Sequence, residues 1–266
     1  MLEFWRDLLI FIGGLWAGTI NTIVGSGSLV TFPILVSLGF PPVNSIISNA
    51  MGLVAGGVSG AWGYRREAAS ARRTLFRLLP VSFFGGLLGA YLLLHLPESV
   101  FGYVAPVLIV VAILLVIFQP RLSAWAKRRQ ALTHVTPEQA DHQKLPLILY
   151  VLTFLIGVYG GYFTAAQGVL LMGVLGIFFH GTLQQSNAIK VILSLVVNLI
   201  AAVSYLFLAF DRINWLVVLL IAVGSLLGGF LGAGIGRRMS PTVLRVVIVI
   251  LGVIALVNMI GKLVAA

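Results

Sequence analysis

The sequence predicts an all-α polytopic membrane protein: two inverted-topology repeats of about five hydrophobic segments each, with short broken or re-entrant helices at segments two and seven. Three observations carry that expectation. The chain is too apolar for water, it divides into ten apolar segments joined by short loops, and its halves match in sequence while their loop charges are reversed.

Composition comes first. Of the 266 residues, 60% are hydrophobic and 9% charged, against about 25% charged in an ordinary soluble domain. Mean hydropathy is +1.09. A soluble fold of that composition has too little polar surface to cover its core. At about 20 residues per crossing, the length leaves room for roughly ten helices. The chain has no cysteine, which excludes disulfides, thiolate metal sites and cysteine nucleophiles. A net charge of +10 invites a nucleic-acid reading, but the basic residues sit in short loops between apolar segments, where topogenic signals belong. No nucleic acid is expected; the expected partners are a lipid bilayer and a small anionic substrate. Glu3, Arg6 and Asp7 make no basic leader, so the N-terminus reads as a first helix rather than a removed signal.

The apolar segments run 7–24, 28–39, 43–64, 75–95, 99–118, 145–163, 167–180, 183–209, 214–236 and 241–262. At about 1.5 Å of rise per residue, the second and seventh are too short for a hydrocarbon core of roughly 30 Å. Arg65, Arg66, Arg72, Arg73 and Arg77 follow segment three. Arg121, Lys127, Arg128, Arg129 and Lys144 follow segment five, and Arg237 and Arg238 follow segment nine. Placing all three loops in the cytoplasm satisfies the positive-inside rule. The expectation is a multi-pass protein of the cell (inner) membrane with basic loops cytoplasmic and both termini external. Arg245, near the start of segment ten, is expected to snorkel to the cytoplasmic face.

Residues 119–144, polar and carrying Pro120 and Pro137, divide an N-terminal repeat (1–118) from a C-terminal repeat (145–266). Their His134 and His142 read as solvated residues, since no other ligand-type cluster accompanies them. No metal and no cofactor are expected.

The repeat is visible in collinear matches. Ser48-Asn49-Ala50-Met51 pairs with Ser186-Asn187-Ala188-Ile189, Leu87-Leu88-Gly89-Ala90 with Leu226-Leu227-Gly228-Gly229, and Gly18 with Gly157. The strongly basic loop follows the third segment in half one but the fourth in half two. Five segments per half is an odd number, so the second copy inserts upside down, the architecture of many secondary transporters.

All seven acidic residues lie at termini or in loops, which argues against a cation pathway. The polar residues inside segments are neutral or basic. Asn21, Gly25, Ser26, Gly27 and Ser28 form a glycine-rich break after segment one, followed by Asn49 in segment three. Thr164, Gln167, Asn187 and Lys190 are the counterparts in half two. Helix breaks expose backbone N–H groups and the positive ends of helix dipoles, and glycines allow a ligand to approach the backbone. That arrangement accepts anions. The two breaks are expected to dip in from opposite sides and meet. Lys190 has two readings: the charge that attracts an anion, or a side chain that snorkels to the cytoplasmic face. The glycines at 85, 86, 89, 224, 228, 232 and 236 read as stripes for close helix packing. Ser26 or Ser28 as a nucleophile finds only His180 as a partner and no group to orient it; no catalytic residue is expected, and the protein reads as no enzyme.

Ala17-Gly18, Asn21, Gly25-Ser26-Gly27, Pro33, Pro41-Pro42 and Asn49 in half one resemble the sulfite exporter TauE/SafE family. So do Gly157, Tyr159-Gly160-Gly161-Tyr162-Phe163, Gly168, Asn187-Ala188-Ile189-Lys190, Asn198, Trp215 and Gly228-Gly229 in half two. The resemblance covers nearly the whole chain apart from 119–144. It implies transport of sulfur-containing or organic anions such as sulfite, sulfonates or sulfoacetate, often outward. Two departures touch the site: Ser28 stands where glycine is frequent, and Thr164-Ala165-Ala166 replaces what is often Gly-Ala-Gly. The resulting expectation is a secondary transporter for a small anion, working by alternating access around a midplane site. A non-transporting membrane scaffold or sensor, and an anion channel, remain as alternatives.

Overall fold

The structure, a computed structural model, describes residues 2–132, 136–235 and 241–265. His134, Gly236, Arg237 and Arg238 of the sequence reading lie outside the described residues. Every regular element among the described residues is helical. α1 (Leu2–Ile23), α2 (Ser28–Ser37), α3 (Pro42–Gly63), α4 (Arg65–Ser70), α5 (Arg72–His95) and α6 (Glu98–Leu132) form the first half. α7 (Pro137–His142) follows, and α8 (Leu147–Phe163), α9 (Gln167–Phe178), α10 (Leu183–Leu208), α11 (Trp215–Ile235) and α12 (Pro241–Ala265) form the second. The protein is an all-α polytopic membrane protein.

Local sequence explains the boundaries. α3 opens with Pro42 in its first turn, where the missing N–H would be unpaired anyway. α10 opens on a capping box in which Thr182 and Gln185 exchange side-chain and backbone bonds, satisfying two N-terminal donors. Four helices are long and apolar enough to cross a membrane by length and composition alone: residues Arg72–His95, Glu98–Arg121, Leu183–Leu208 and Trp215–Gly234. α3 is 22 residues long but less apolar, because it carries small and polar residues that the bundle buries: Ser45, Asn49, Gly52, Gly56 and Ser59. α2 and α9, with 10 and 12 residues, are the two short helices that the sequence leads one to expect.

The helices pair across the halves. α1 packs along α11, and its counterpart α8 along α5; α3 lies on α11 and α10 on α5; α2 meets α12 and α9 meets α6. Each contact has a twin with the halves exchanged, while α3–α10 and α6–α12 pack counterpart on counterpart. Glycine makes this closeness possible. A Cβ on Gly14 would lie 2.9 Å from Ile221 Cα, and one on Gly157 3.1 Å from Gly85 Cα. The anticipated stripes on α5 and α11 are therefore contact surfaces, as small residues are in membrane bundles.

The connection between the halves is mostly helical. α6 continues past the expected end at 118 to Leu132, through a stretch rich in Ala, Arg, Lys and Leu, all good helix formers. α7 then docks on the start of α5. The Asp141 carboxylate accepts from the backbone N–H of Arg73 (3.0 Å) and of Thr74 (2.8 Å), capping a helix end whose donors would otherwise lack partners. Arg77 Nη1 donates to Gln143 O at 3.0 Å, and His142 Nδ1 lies 2.9 Å from Arg73 Nη1. Ala140 is buried against this joint.

Candidate functional site

Two interruptions of the helical path face each other inside the bundle. α1 stops at Ile23 and α2 resumes at Ser28; between them Gly25 holds φ +90°, the left-handed region that glycine enters without penalty. α8 stops at Phe163 and α9 resumes at Gln167; between them Thr164 (φ 62°) and Ala166 (φ 57°) are left-handed, which for residues with a Cβ is disfavoured by about 1–2 kcal/mol each. The breaks touch. Gly168 N donates to Gly25 O at 2.9 Å, and a Cβ on Gly25 would sit 2.6 Å from Gly168 Cα. The expected meeting of the two breaks is thus present as a direct backbone contact.

Asn49, fully buried, ties three elements together. Its Oδ1 accepts from Thr31 Oγ1 of α2, and its Nδ2 donates to Ser28 Oγ (3.1 Å) and to Thr164 Oγ1 (3.5 Å). Gly25, Ser28, Asn49, Thr164 and Gly168 are therefore one assembly. Ser26 Oγ and Gln167 Nε2 are buried beside the breaks with no hydrogen-bond partner. Such atoms are rare in native proteins. Gly27 packs against the Ala17 carbonyl and the Asn21 side chain. Asn21 and Asn187 are half-buried, and no hydrogen bond joins either side chain to the assembly.

Lys190 does not snorkel. Only 1% exposed, its Nζ donates to Thr22 O at 3.1 Å and Ile23 O at 3.5 Å, the last carbonyls of α1. Those carbonyls are the negative end of that helix, so the ammonium meets partial charges. Among the described residues the ion pairs are Arg6–Asp7 and Arg212–Glu98; neither involves Lys190.

Sequence reasoning passed over Gln119, placed at the head of the linker. It is 6% exposed, its Nε2 donates to Val24 O (3.2 Å) in the first break, and its Oε1 accepts from Arg245 Nε (3.4 Å). Arg245 is half-buried, and this bond ties the start of α12 to α6. Thr31 was also passed over, although its place three residues after Ser28, on the same helical face, marks it.

A model of the sulfite exporter TauE/SafE family matches residues 10–259. The chain belongs to the sulfite exporter TauE/SafE family. As a TauE/SafE member it is a multi-pass protein of a membrane transporter family. A "probable membrane transporter protein" of Haemophilus influenzae is 27% identical over 249 residues, covering 92% of this chain and 91% of the relative. A "probable membrane transporter protein ORF9" of Sinorhizobium sp is 24% identical, covering 95% and 91%. The "probable membrane transporter protein YfcA" of Escherichia coli K12 is 22% identical, covering 92% and 86%. No solved structure matches the chain.

Proposed function

We propose that the protein is a secondary transporter for a small anion, with a sulfur-containing or organic anion such as sulfite, a sulfonate or sulfoacetate as the substrate class. The observation that carries this reading is the pair of joined breaks. Around Gly25 and Gly168 stand buried hydroxyl and amide groups, two of them without partners, and among the described residues the nearby charge on Lys190 meets helix-end carbonyls and no acid. Preorganised neutral donors near an uncompensated ammonium suit an oxyanion. The proposed ligands are Asn21, Gly25, Ser26, Gly27, Ser28 and Asn49 from one half, with Thr164, Gln167, Asn187 and Lys190 from the other.

The matched helix pairings support two inverted repeats, 1–118 and 145–266, joined by 119–144. Rocking one against the other around the breaks would alternate access. The basic loops are proposed to face the cytoplasm and both termini the outside. The test is reconstitution in liposomes with flux measured for sulfite, sulfonates and sulfoacetate. Saturable flux of one such anion is expected. No flux with any anion overturns the proposal in favour of a scaffold or sensor, and conductance far above carrier rates overturns it in favour of a channel.

A further inference from the structure

The polar residues of α10 fall in register. Ser186, Lys190, Ser194 and Asn198 succeed one another every fourth residue, and none is more than 6% exposed. Each step of four turns the helix face by only about 40°. Lys190, Ser194, Asn198 and, further on, Tyr205 therefore occupy one sector about 80° wide. Both ends of that sector are fastened to the helices that carry the breaks. Lys190 holds the last carbonyls of α1, and the Tyr205 hydroxyl donates to Gly161 O (3.1 Å), two residues before the end of α8.

Between those anchors, about 22 Å apart along the axis, lie Ser194 and Asn198. Ser194 Oγ and Asn198 Oδ1 are buried and have no partner. The flanking faces of α10 are occupied. Val191 and Leu195 turn to Gly60 and Gly57 of α3; Val197 meets Gly86 of α5, and Ser82 of α5 donates to Leu193 O. What remains for Ser194 and Asn198 is the sector between α3 and α5, the one that looks onto the ends of α1 and α8. A serine in the middle of a membrane helix commonly turns back to the carbonyl four residues earlier; Ser194 makes no such bond, so its hydroxyl is free for a ligand.

We propose that Ser194 and Asn198 are substrate-binding residues, a third wall of the anion site that the breaks and Lys190 leave open. This rests on the transport reading above. The serine hydroxyl and the carboxamide can each donate a hydrogen bond, so the pair fits a small oxyanion such as a sulfonate.

The absence of native cysteine makes the test direct. Ser194→Cys and Asn198→Cys are compared in proteoliposomes with Leu193→Cys and Val197→Cys, whose native side chains are fully buried. The probe is a membrane-impermeant methanethiosulfonate bearing a sulfonate, with sulfoacetate as competitor. Positions 194 and 198 should react about tenfold faster than 193 and 197, since modification follows access, and saturating sulfoacetate should slow them. Ser194→Ala, which adds no bulk, should raise KM for sulfoacetate about three- to tenfold through one lost hydrogen bond, with thermal stability unchanged. Persistent flux with 194 and 198 no more reactive than the controls, and with KM of Ser194→Ala unchanged, overturns the third wall and leaves transport standing. A protein that moves no anion, with labelling that sulfoacetate does not slow, overturns both.

Discussion

Replacing Lys190 by glutamine separates a structural from a functional charge. The substitution removes one well-formed bond to Thr22 O (3.1 Å) and a longer one to Ile23 O (3.5 Å). A hydrogen bond from a charged donor contributes about 1.5–3 kcal/mol. Against that, a lysine at the centre of a membrane helix is unfavourable by about 2.5–3.5 kcal/mol, and glutamine relieves most of this while keeping an N–H donor. The two effects nearly cancel, so Lys190→Gln should fold with stability within about 1–2 kcal/mol of wild type. Transport should respond differently. An anion about 4 Å from the ammonium gains about 4 kcal/mol at an effective dielectric constant of 20. The end of α1, worth about half a negative charge, removes roughly half of it. The remaining 2 kcal/mol or so corresponds to about a thirtyfold loss of flux at subsaturating substrate. Initial rates in proteoliposomes, paired with thermal unfolding of the same preparation, measure both. Flux within about twofold of wild type at unchanged stability would refute the role of the charge. Flux lost only in step with unfolding would make Lys190 a structural peg.

Other outcomes follow from named contacts. Gly25→Ala places a Cβ 2.6 Å from Gly168 Cα at φ +90°; the strain of about 1–2 kcal/mol and the forced separation of the breaks should lower the melting temperature and abolish flux, and wild-type behaviour in both assays would show the breaks free to part. Asp141→Ala uncaps Arg73 N and Thr74 N; a loss of about 0.5–2 kcal/mol and faster proteolysis between α6 and α8 are expected, and an unchanged cleavage rate would count against docking. Single cysteines at the exposed Ser99 and Arg66 should be labelled from opposite sides, Ser99 from outside; labelling of both from one side would reverse the topology.

Much of the bundle was legible because its signals are local. Apolar runs ended by Gly25, Pro42 or Thr182 give helices whose ends agree with the structure to a few residues, and the glycine-rich breaks announced their own meeting. What escaped notice depends on atoms that no residue letter encodes. Lys190 is held by backbone carbonyls of α1, 167 or 168 positions away in the chain, and carbonyls leave no compositional trace. Gln119 looked like the start of a polar linker, because its burial comes from α12 and the first break rather than from its neighbours. Asp141 looked like one more loop acid until the fold brought the start of α5 beneath it. Ser194 carried a signal, four residues beyond Lys190, but the burial that gives the spacing meaning is a tertiary fact.

The exchange of partners between halves also bears on how the chain is made. α1 leaves the ribosome well before the surface it fits, α11, which is synthesised roughly two hundred residues later, a delay of about 10–40 s at ordinary elongation rates. Throughout that interval its glycine-lined flank has only lipid or an insertion factor to lie against. α8 is spared the wait, since α5 is already in place when it emerges. The order of birth therefore leaves α1 without its main partner until α11 emerges, and a chain cut before α11 should be degraded rather than persist as an unfinished bundle.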